Sequence, residues 1–453
     1  MNSPSSRHRS MPFEIIGSLA MNNDISKRLF DHLPIANAAW WLTLIAIFSI
    51  GFMKPLIFVS NQRLSPVDLL FPLTALLVLA SMIVGQISVK FDRSYLYFGA
   101  YFGAMLISSI FSLDPTLSFK KLLGEAYLIG LAVLVIVQTT TDSRFRQVSL
   151  AWLAGAGVTV FVAFISVILY YFAPGNWLLQ YTLYSYGSVP VINFPRISST
   201  MVSASMFCNY LTVGIAIAFV ANTKGWIGKW VFRVAVILMI LAAISTISIG
   251  IGGVFLVLGI CIYTTSSIPR ARFRRYSMFA AVIIAVVFYL SSFVALKPHS
   301  TSPYSFDLPI IGNVQPSPRT LVWTAVLQTI AADPIVGKGL DQPVCAVRFE
   351  NTDGSYSMLT DAHNIYLSVA GQNGFVGLAA LLALIAFLWR IGYRSDDVAV
   401  RLLWAAFVSA FIYQGFIGAY EDARHLWVLI GLLVAVSKLG SSTQESLAHC
   451  SGV

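Results

Sequence analysis

The chain has 453 residues, of which 57% are hydrophobic and only 11% charged, with a formal net charge of +10 at neutral pH. A soluble domain of this length needs far more charge to cover its surface, so composition excludes one and indicates an all-α, polytopic integral membrane protein. The basic excess fits loops flanking membrane spans, and no nucleic-acid partner is expected.

Residues 1–37 are polar and mixed, without a signal peptide and cleavage site, and are expected to form a cytoplasmic N-terminal segment. Apolar runs long enough to cross a bilayer, about 17–25 residues each, follow near 38–58, 68–86, 96–112, 122–139, 149–173 and 200–221. Further runs lie near 230–247, 249–264, 276–296, 364–389, 399–419 and 424–438, making about twelve spans. Residues 234–263 are too long an apolar run for one helix of ordinary tilt, and Ile244-Ser-Thr-Ile-Ser-Ile-Gly-Ile-Gly-Gly253 supplies the turn chemistry to break it. The expected organisation is nine spans within 38–296, a large outer loop at 297–362 with short helices, three spans within 363–438, and a cytoplasmic tail at 439–453.

Basic residues orient these spans. With the N-terminus inside, Arg93, Arg144, Lys224, Arg233, Arg390, Arg394, Arg401 and Lys438 join the cytoplasmic loops, an excess of roughly two to one over the outer side. Both termini then face the cytoplasm. An outer loop near 174–199 carries Trp177, Tyr181, Tyr184 and Tyr186, suited to lie at headgroup depth. Within the larger outer loop, Ser317 to Ala331 reads as a helix: Ser317 is the expected N-cap, Pro318 fits the first helical position, and Asp333-Pro334 ends it.

Anion handling beside a membrane is the chemistry this can support. Arg319 falls in the first turn of that helix, where free N–H groups and the helix dipole favour negative charge. Its guanidinium can grip a phosphate in bidentate fashion. Arg196 sits just before the sixth span, and His363 opens the tenth, in the first turn of a helix expected to begin beside Asp361. By spacing alone, a loop arginine is more often a solvated charge and a histidine at a helix start a polar cap neighbour.

Four motifs add to this: Arg196-Ile-Ser-Ser-Thr200 leading to Asn209; Pro318-Arg-Thr-Leu-Val-Trp323 running into Asp333-Pro-Ile-Val-Gly-Lys-Gly339; His363-Asn-Ile-Tyr-Leu followed by Gly374-Phe-Val-Gly-Leu378; and Glu421-Asp-Ala-Arg-His-Leu-Trp427. In this order the chain resembles the bacterial O-antigen ligase and Wzy-type polysaccharide polymerase superfamily. The resemblance implies a metal-independent, inverting glycosyltransferase of the bacterial inner membrane, with its active site on the periplasmic face. The donor would be a glycan on undecaprenyl diphosphate, and the acceptor another glycan or lipid A-core. No cofactor is implied. His363 would deprotonate or orient the acceptor hydroxyl, while Arg319 and Arg196 would neutralise the departing diphosphate. Substrate contacts would come from Asn364, Trp323 and Lys338 within the motifs, and from Tyr420, Glu421 and Arg424 at the outer face.

The chain departs from the family pattern twice. Relatives commonly carry an arginine after a serine in the hairpin between the seventh and eighth spans, where this chain has Ser248-Ile249-Gly250, and often an acid where it has Gln372. Gly371, Gly374 and Gly377 are explained by close helix packing. Glu125, an acid inside the fourth span, is either functional or paired with Lys121 one turn away. Asp361 reads as a helix cap, and Asp396-Asp397 as a solvated loop. Cys208, Cys261, Cys345 and Cys450 show no ligand or disulfide spacing. The competing classes are a transporter or flippase, and a non-catalytic subunit of a polysaccharide export complex. A transporter would show internal repeats and midplane polar groups; here no convincing repeat is visible, and the polar candidates sit at the outer rim.

Overall fold

The computed structural model describes residues 35–54, 57–59, 62–89, 91–183, 194–265, 271–297, 306–308, 312–350, 356–418, 420 and 423–450. The N-terminal segment to residue 34, Tyr184, Tyr186 and Glu421 lie outside the described residues, as does the side chain of Cys450.

Lipid offers no hydrogen bonds, so a spanning chain must satisfy its backbone within each segment. Helices accordingly account for the apolar runs: α1 (Ile35–Ser49), α2 (Pro66–Ile83), α3 (Arg93–Ile110), α4 (Pro115–Gln138) and α5 (Asp142–Phe172). After the short α6 (Leu178–Thr182) come α7 (Ala204–Thr223), α8 (Lys229–Ser245), α9 (Ile251–Thr265) and α10 (Ala271–Ser291). The long segment after α10 holds α11 (Arg319–Ala332). It is followed by α12 (Ile365–Arg394), α13 (Val398–Ala406), which continues as a π-helical stretch (Phe407–Tyr413), and α14 (Arg424–Cys450). A helix overlaps every expected span, and 5 of those described are long and apolar enough to cross a membrane by length and composition.

Local chemistry starts these helices. Asp92, Asp114, Thr141 and Ser203 accept from backbone N–H groups at the starts of α3, α4, α5 and α7, each satisfying a donor that the helix itself leaves free. The split expected within 234–263 falls between α8 and α9, where Ile247 takes a left-handed φ of 47°. At the core, α7 is buried on every face, and α14 from Leu426 to Val436 is almost wholly enclosed.

Several boundaries differ from expectation. The first span stops at Ser49. The chain then turns sideways, with the N–H groups of Met53 and Lys54 donating to the Thr200 carbonyl, into a hairpin of β1 (Ile57–Val59) and β2 (Gln62–Leu64). The ninth ends at Ser291, because the chain beyond it forms β3 (Val294–Lys297), paired antiparallel with β5 (Gly312–Pro316), which also pairs with β4 (Phe306–Leu308). A second hairpin joins β6 (Val347–Glu350) to β7 (Tyr356–Leu359). The bundle is all-α, but the segments between its helices carry strands that the sequence reading did not expect. The tail expected from 439 continues α14 as helix to Cys450.

Gly374 does more than permit close packing. Its φ of 63° and ψ of −166° break α12, and the segment after α11 docks into the break. Phe375 N–H donates to the Pro334 carbonyl, while Lys338 and Gly339 N–H groups donate to the carbonyls of Gly371 and Gln372. A Cβ on Gly374 would lie 2.2 Å from the Ile335 carbonyl oxygen, so the approach requires glycine.

Candidate functional site

Arg196 is held by an extended strand laced between two elements. Ile197 bridges Leu183 and donates its N–H to the Ser245 carbonyl at the end of α8, while Ser198 N–H donates to Thr182. From there the Arg196 Nε donates to the Thr246 carbonyl at 3.1 Å and Nη2 reaches Ser205 Oγ at 3.4 Å. Ser248 Oγ donates to Ser205 Oγ at 3.1 Å, and Tyr420 Oη donates to the Ser205 carbonyl at 3.4 Å. Ser248, in the turn between α8 and α9, thus joins Ser205 in a hydroxyl pair beside Arg196.

Arg319 opens α11, one residue later than expected, with Pro318 already helical and Ser317 Oγ 3.4 Å from the Arg319 N–H. It is half-buried, and its Nη1 is enclosed without any hydrogen-bond partner. Burial lowers its pKa; Tyr420 opposes this and the positive charge of Arg196 adds to it, which places the three groups in one electrostatic neighbourhood. Burial raises the Tyr420 pKa, so the phenol stays a donor. Guanidinium remains charged throughout. An enclosed cation nitrogen without a partner is costly unless an anion completes it.

His363 does not lie in the first turn of α12. It precedes the N-cap, with a left-handed φ of 49°. Asn364 is the cap: its Oδ1 accepts from the N–H groups of Tyr366 and Leu367, and its Nδ2 donates to the Phe416 carbonyl. Asp361 therefore caps no helix. Its Oδ2 lies 3.2 Å from His363 Nδ1, and its Oδ1 accepts from the His363 N–H and from Ser368 Oγ. Burial opposes the charged form of Asp361, but the hydrogen bond and charge of His363, with the Ser368 hydroxyl, hold its carboxyl below the usual range. With Nδ1–H assigned toward Asp361, Nε2 carries the lone pair. That side chain is 43% exposed, open enough to meet a substrate.

Trp323, one turn along α11 from Arg319, donates its Nε1–H to the Ala362 carbonyl at 3.0 Å and packs its ring against Phe293. The helix bearing Arg319 is thereby tied to the residue before His363. Residues 234–382 match the family model described as O-antigen ligase. The match spans about a third of the chain's length and includes His363, Arg319, Trp323, Lys338 and Asn364, whereas Arg196 lies outside it, before α7. It supports the O-antigen ligase/Wzy-type superfamily resemblance read from the motifs. No curated protein matches the chain.

The remaining expected site residues divide sharply. Tyr420 joins the arginine cluster. Arg424 does not: it pairs with Asp68, Nε to Oδ1 at 2.6 Å and Nη2 to Oδ2 at 2.8 Å, an ion pair that staples α14 to α2. The Oδ1 of Asn364 is used in capping and its Nδ2 in the bond to the Phe416 carbonyl. Lys338 lines a separate cleft with Gln328, Thr329, Gln342 and Cys345. Glu421 is outside the described residues. Glu125 pairs with Lys121 at 3.7 Å, and Asp396 with Arg401 at 3.0 Å, while Asp397 caps α13. Among the described residues no His, Cys, Asp or Glu cluster suited to a metal occurs.

Sequence reading overlooked Asp361 as the partner of His363, although the Asp-x-His spacing was visible. It also overlooked a buried network below the arginines. His425 Nε2 lies 2.5 Å from Asn209 Oδ1; Asn209 Nδ2 donates to the Ala410 carbonyl; and Gln414 Nε2 donates to Thr212 Oγ1 and to the Gly250 carbonyl. The π-helical stretch ends immediately before Gln414, an irregularity frequent at functional sites.

Proposed function

We propose that the protein is a membrane glycosyltransferase of the O-antigen ligase or polysaccharide polymerase type. It transfers a glycan from undecaprenyl diphosphate to an acceptor hydroxyl with inversion, at the periplasmic face of the bacterial inner membrane, through a bundle of about twelve spans. The observation that carries the reading is the enclosed, unpartnered Nη1 of Arg319 beside Arg196 and Tyr420. Such an arrangement suits a diphosphate whose negative charge grows as the glycosyl bond breaks.

His363 Nε2 takes the acceptor proton as the acceptor oxygen bonds to the anomeric carbon and the diphosphate departs from its opposite face. Asp361 holds the imidazole and stabilises the imidazolium that forms. Arg319 and Arg196 supply the charge compensation that a divalent cation brings in other phosphate chemistry, so no step requires a metal. Tyr420, whose hydroxyl donates to the Ser205 carbonyl, lines the same cluster as a neutral group.

The test uses purified protein in nanodiscs with an undecaprenyl-diphosphate-linked repeat unit, alone or with lipid A-core, comparing wild type with His363→Ala and Arg319→Ala. Longer lipid-linked glycan identifies a polymerase, and glycan on lipid A-core identifies a ligase, each lost in both variants. Turnover unaffected by both substitutions removes the proposed site. No wild-type turnover with either acceptor returns weight to a transporter or an export subunit.

A further inference from the structure

At the end of the bundle opposite the Arg196–Arg319 cluster, a cleft of about 750 Å³ opens between the start of α3, the end of α12 and α14. Its cations are Arg93, Arg390 and Arg394. Arg390 and Arg394 stand one turn apart on the same face of α12, and Arg93 is the first residue of α3. From the start of α12 to Arg390 is roughly 40 Å of helix at 1.5 Å per residue, so this cleft is separate from the candidate active site.

Two acids also line the cleft, but both are engaged. Asp396 accepts from Arg401 Nη2 at 3.0 Å, and Asp397 Oδ1 accepts from Ala399 N–H at 2.7 Å as the cap of α13. Among the described residues, Arg93, Arg390 and Arg394 pair with no carboxylate. Like charges one helical turn apart repel, and a planar guanidinium fork matches phosphate oxygens in bidentate fashion.

We propose that this cleft binds the phosphate headgroup of an anionic membrane lipid. The apolar wall selects a lipid over a soluble phosphate. Tyr97 stacks on Phe387 with ring centroids 4.4 Å apart, and Ile391, Ala383 and Ala386 continue that surface. Beside it, Leu96, Leu382 and Trp389 are exposed on the flanks of α3 and α12, where acyl chains lie. Cations at helix ends with apolar surface beneath them match a headgroup and its chains, the pattern of basic pockets between spans.

The experiment titrates purified full-length protein in a nonionic detergent with short-chain phosphatidylglycerol, phosphatidylcholine or inorganic phosphate, reading binding by calorimetry. The variants are Arg390→Gln/Arg394→Gln and, as control, Lys229→Gln/Arg233→Gln, which removes two cations outside the cleft at the same end. Because Arg390 and Arg394 are exposed and unpaired, their replacement leaves the fold intact, which elution as a single species checks. The expected result is phosphatidylglycerol binding that weakens roughly 30-fold in the cleft variant, little change in the control, and no saturable phosphatidylcholine binding. Equal weakening in both variants, or no preference for phosphatidylglycerol, overturns the site. Inorganic phosphate binding as tightly as phosphatidylglycerol and competing with it overturns the lipid assignment.

Discussion

Replacing Arg319 with glutamine separates a substrate-binding charge from a structural one. The guanidinium pairs with no carboxylate among the described residues, its Nη1 is enclosed without a partner, and burial and Arg196 both disfavour its charge. The folded protein therefore has no ion pair there to lose, and Arg319→Gln leaves the thermal midpoint of the ligand-free protein unchanged or raised. Turnover behaves oppositely. A hydrogen bond to a charged group contributes about 1.5–3 kcal/mol, and this one strengthens as the diphosphate gains charge. Donor kcat/KM then falls by about 10-fold to 150-fold. Arg319→Lys keeps the charge but loses the fork, so its turnover is intermediate. The assay is glycan transfer from the lipid diphosphate donor in nanodiscs, with thermal unfolding in parallel. A midpoint several degrees lower with turnover intact would refute the reasoning, because it would make Arg319 a structural residue.

Asp68→Asn or Arg424→Gln removes one partner of the ion pair between α2 and α14 and leaves the other charge uncompensated, costing about 3 kcal/mol for a largely buried pair; the double variant, which leaves no unpaired charge, should unfold no lower than either single, and unchanged midpoints in the singles would discard the staple. Gly374→Ala forces a side chain into a glycine-only backbone conformation 2.2 Å from the Ile335 carbonyl, so folded yield collapses; normal size-exclusion elution of this variant would show that the break in α12 is dispensable. Asp361→Asn frees the His363 ring to rotate and removes its counter-charge, so turnover falls by about 10-fold to 100-fold with little change in donor KM, and equal loss through KM would contradict the orienting role. Asp361 has a depressed pKa when folded, so its contribution to stability is complete above the unfolded value of about 4 and disappears as pH falls through the lower folded value. Unfolding measured down to pH 3 should show this acid loss in wild type and its absence in Asp361→Asn.

The helices were legible because each satisfies its backbone within a continuous segment, so apolar length and local caps suffice to place them. Even the split at Thr246–Gly250 follows from nearby serine and glycine chemistry. The strands between the helices were not legible, since their partners lie across loops and their residues are few. Glycines at 371, 374 and 377 looked alike in sequence, yet only Gly374 meets an incoming carbonyl at a left-handed φ. Arg424 shows the same limit: its position in a family motif suggested substrate contact, whereas Asp68, 356 residues away, holds its guanidinium.

Sequence alone determined a multi-pass helical membrane protein, with an O-antigen ligase-like order of arginine, arginine and histidine outside its spans. Tertiary structure decided which of the candidate charges are available. Arg319 is left with an enclosed, unfilled donor, His363 is aimed by Asp361, and Arg424 and Asn364 are consumed by the scaffold. The physical reason is that burial in lipid is a property of one segment and its composition, whereas the availability of a charge depends on whichever distant groups the fold brings within hydrogen-bond reach.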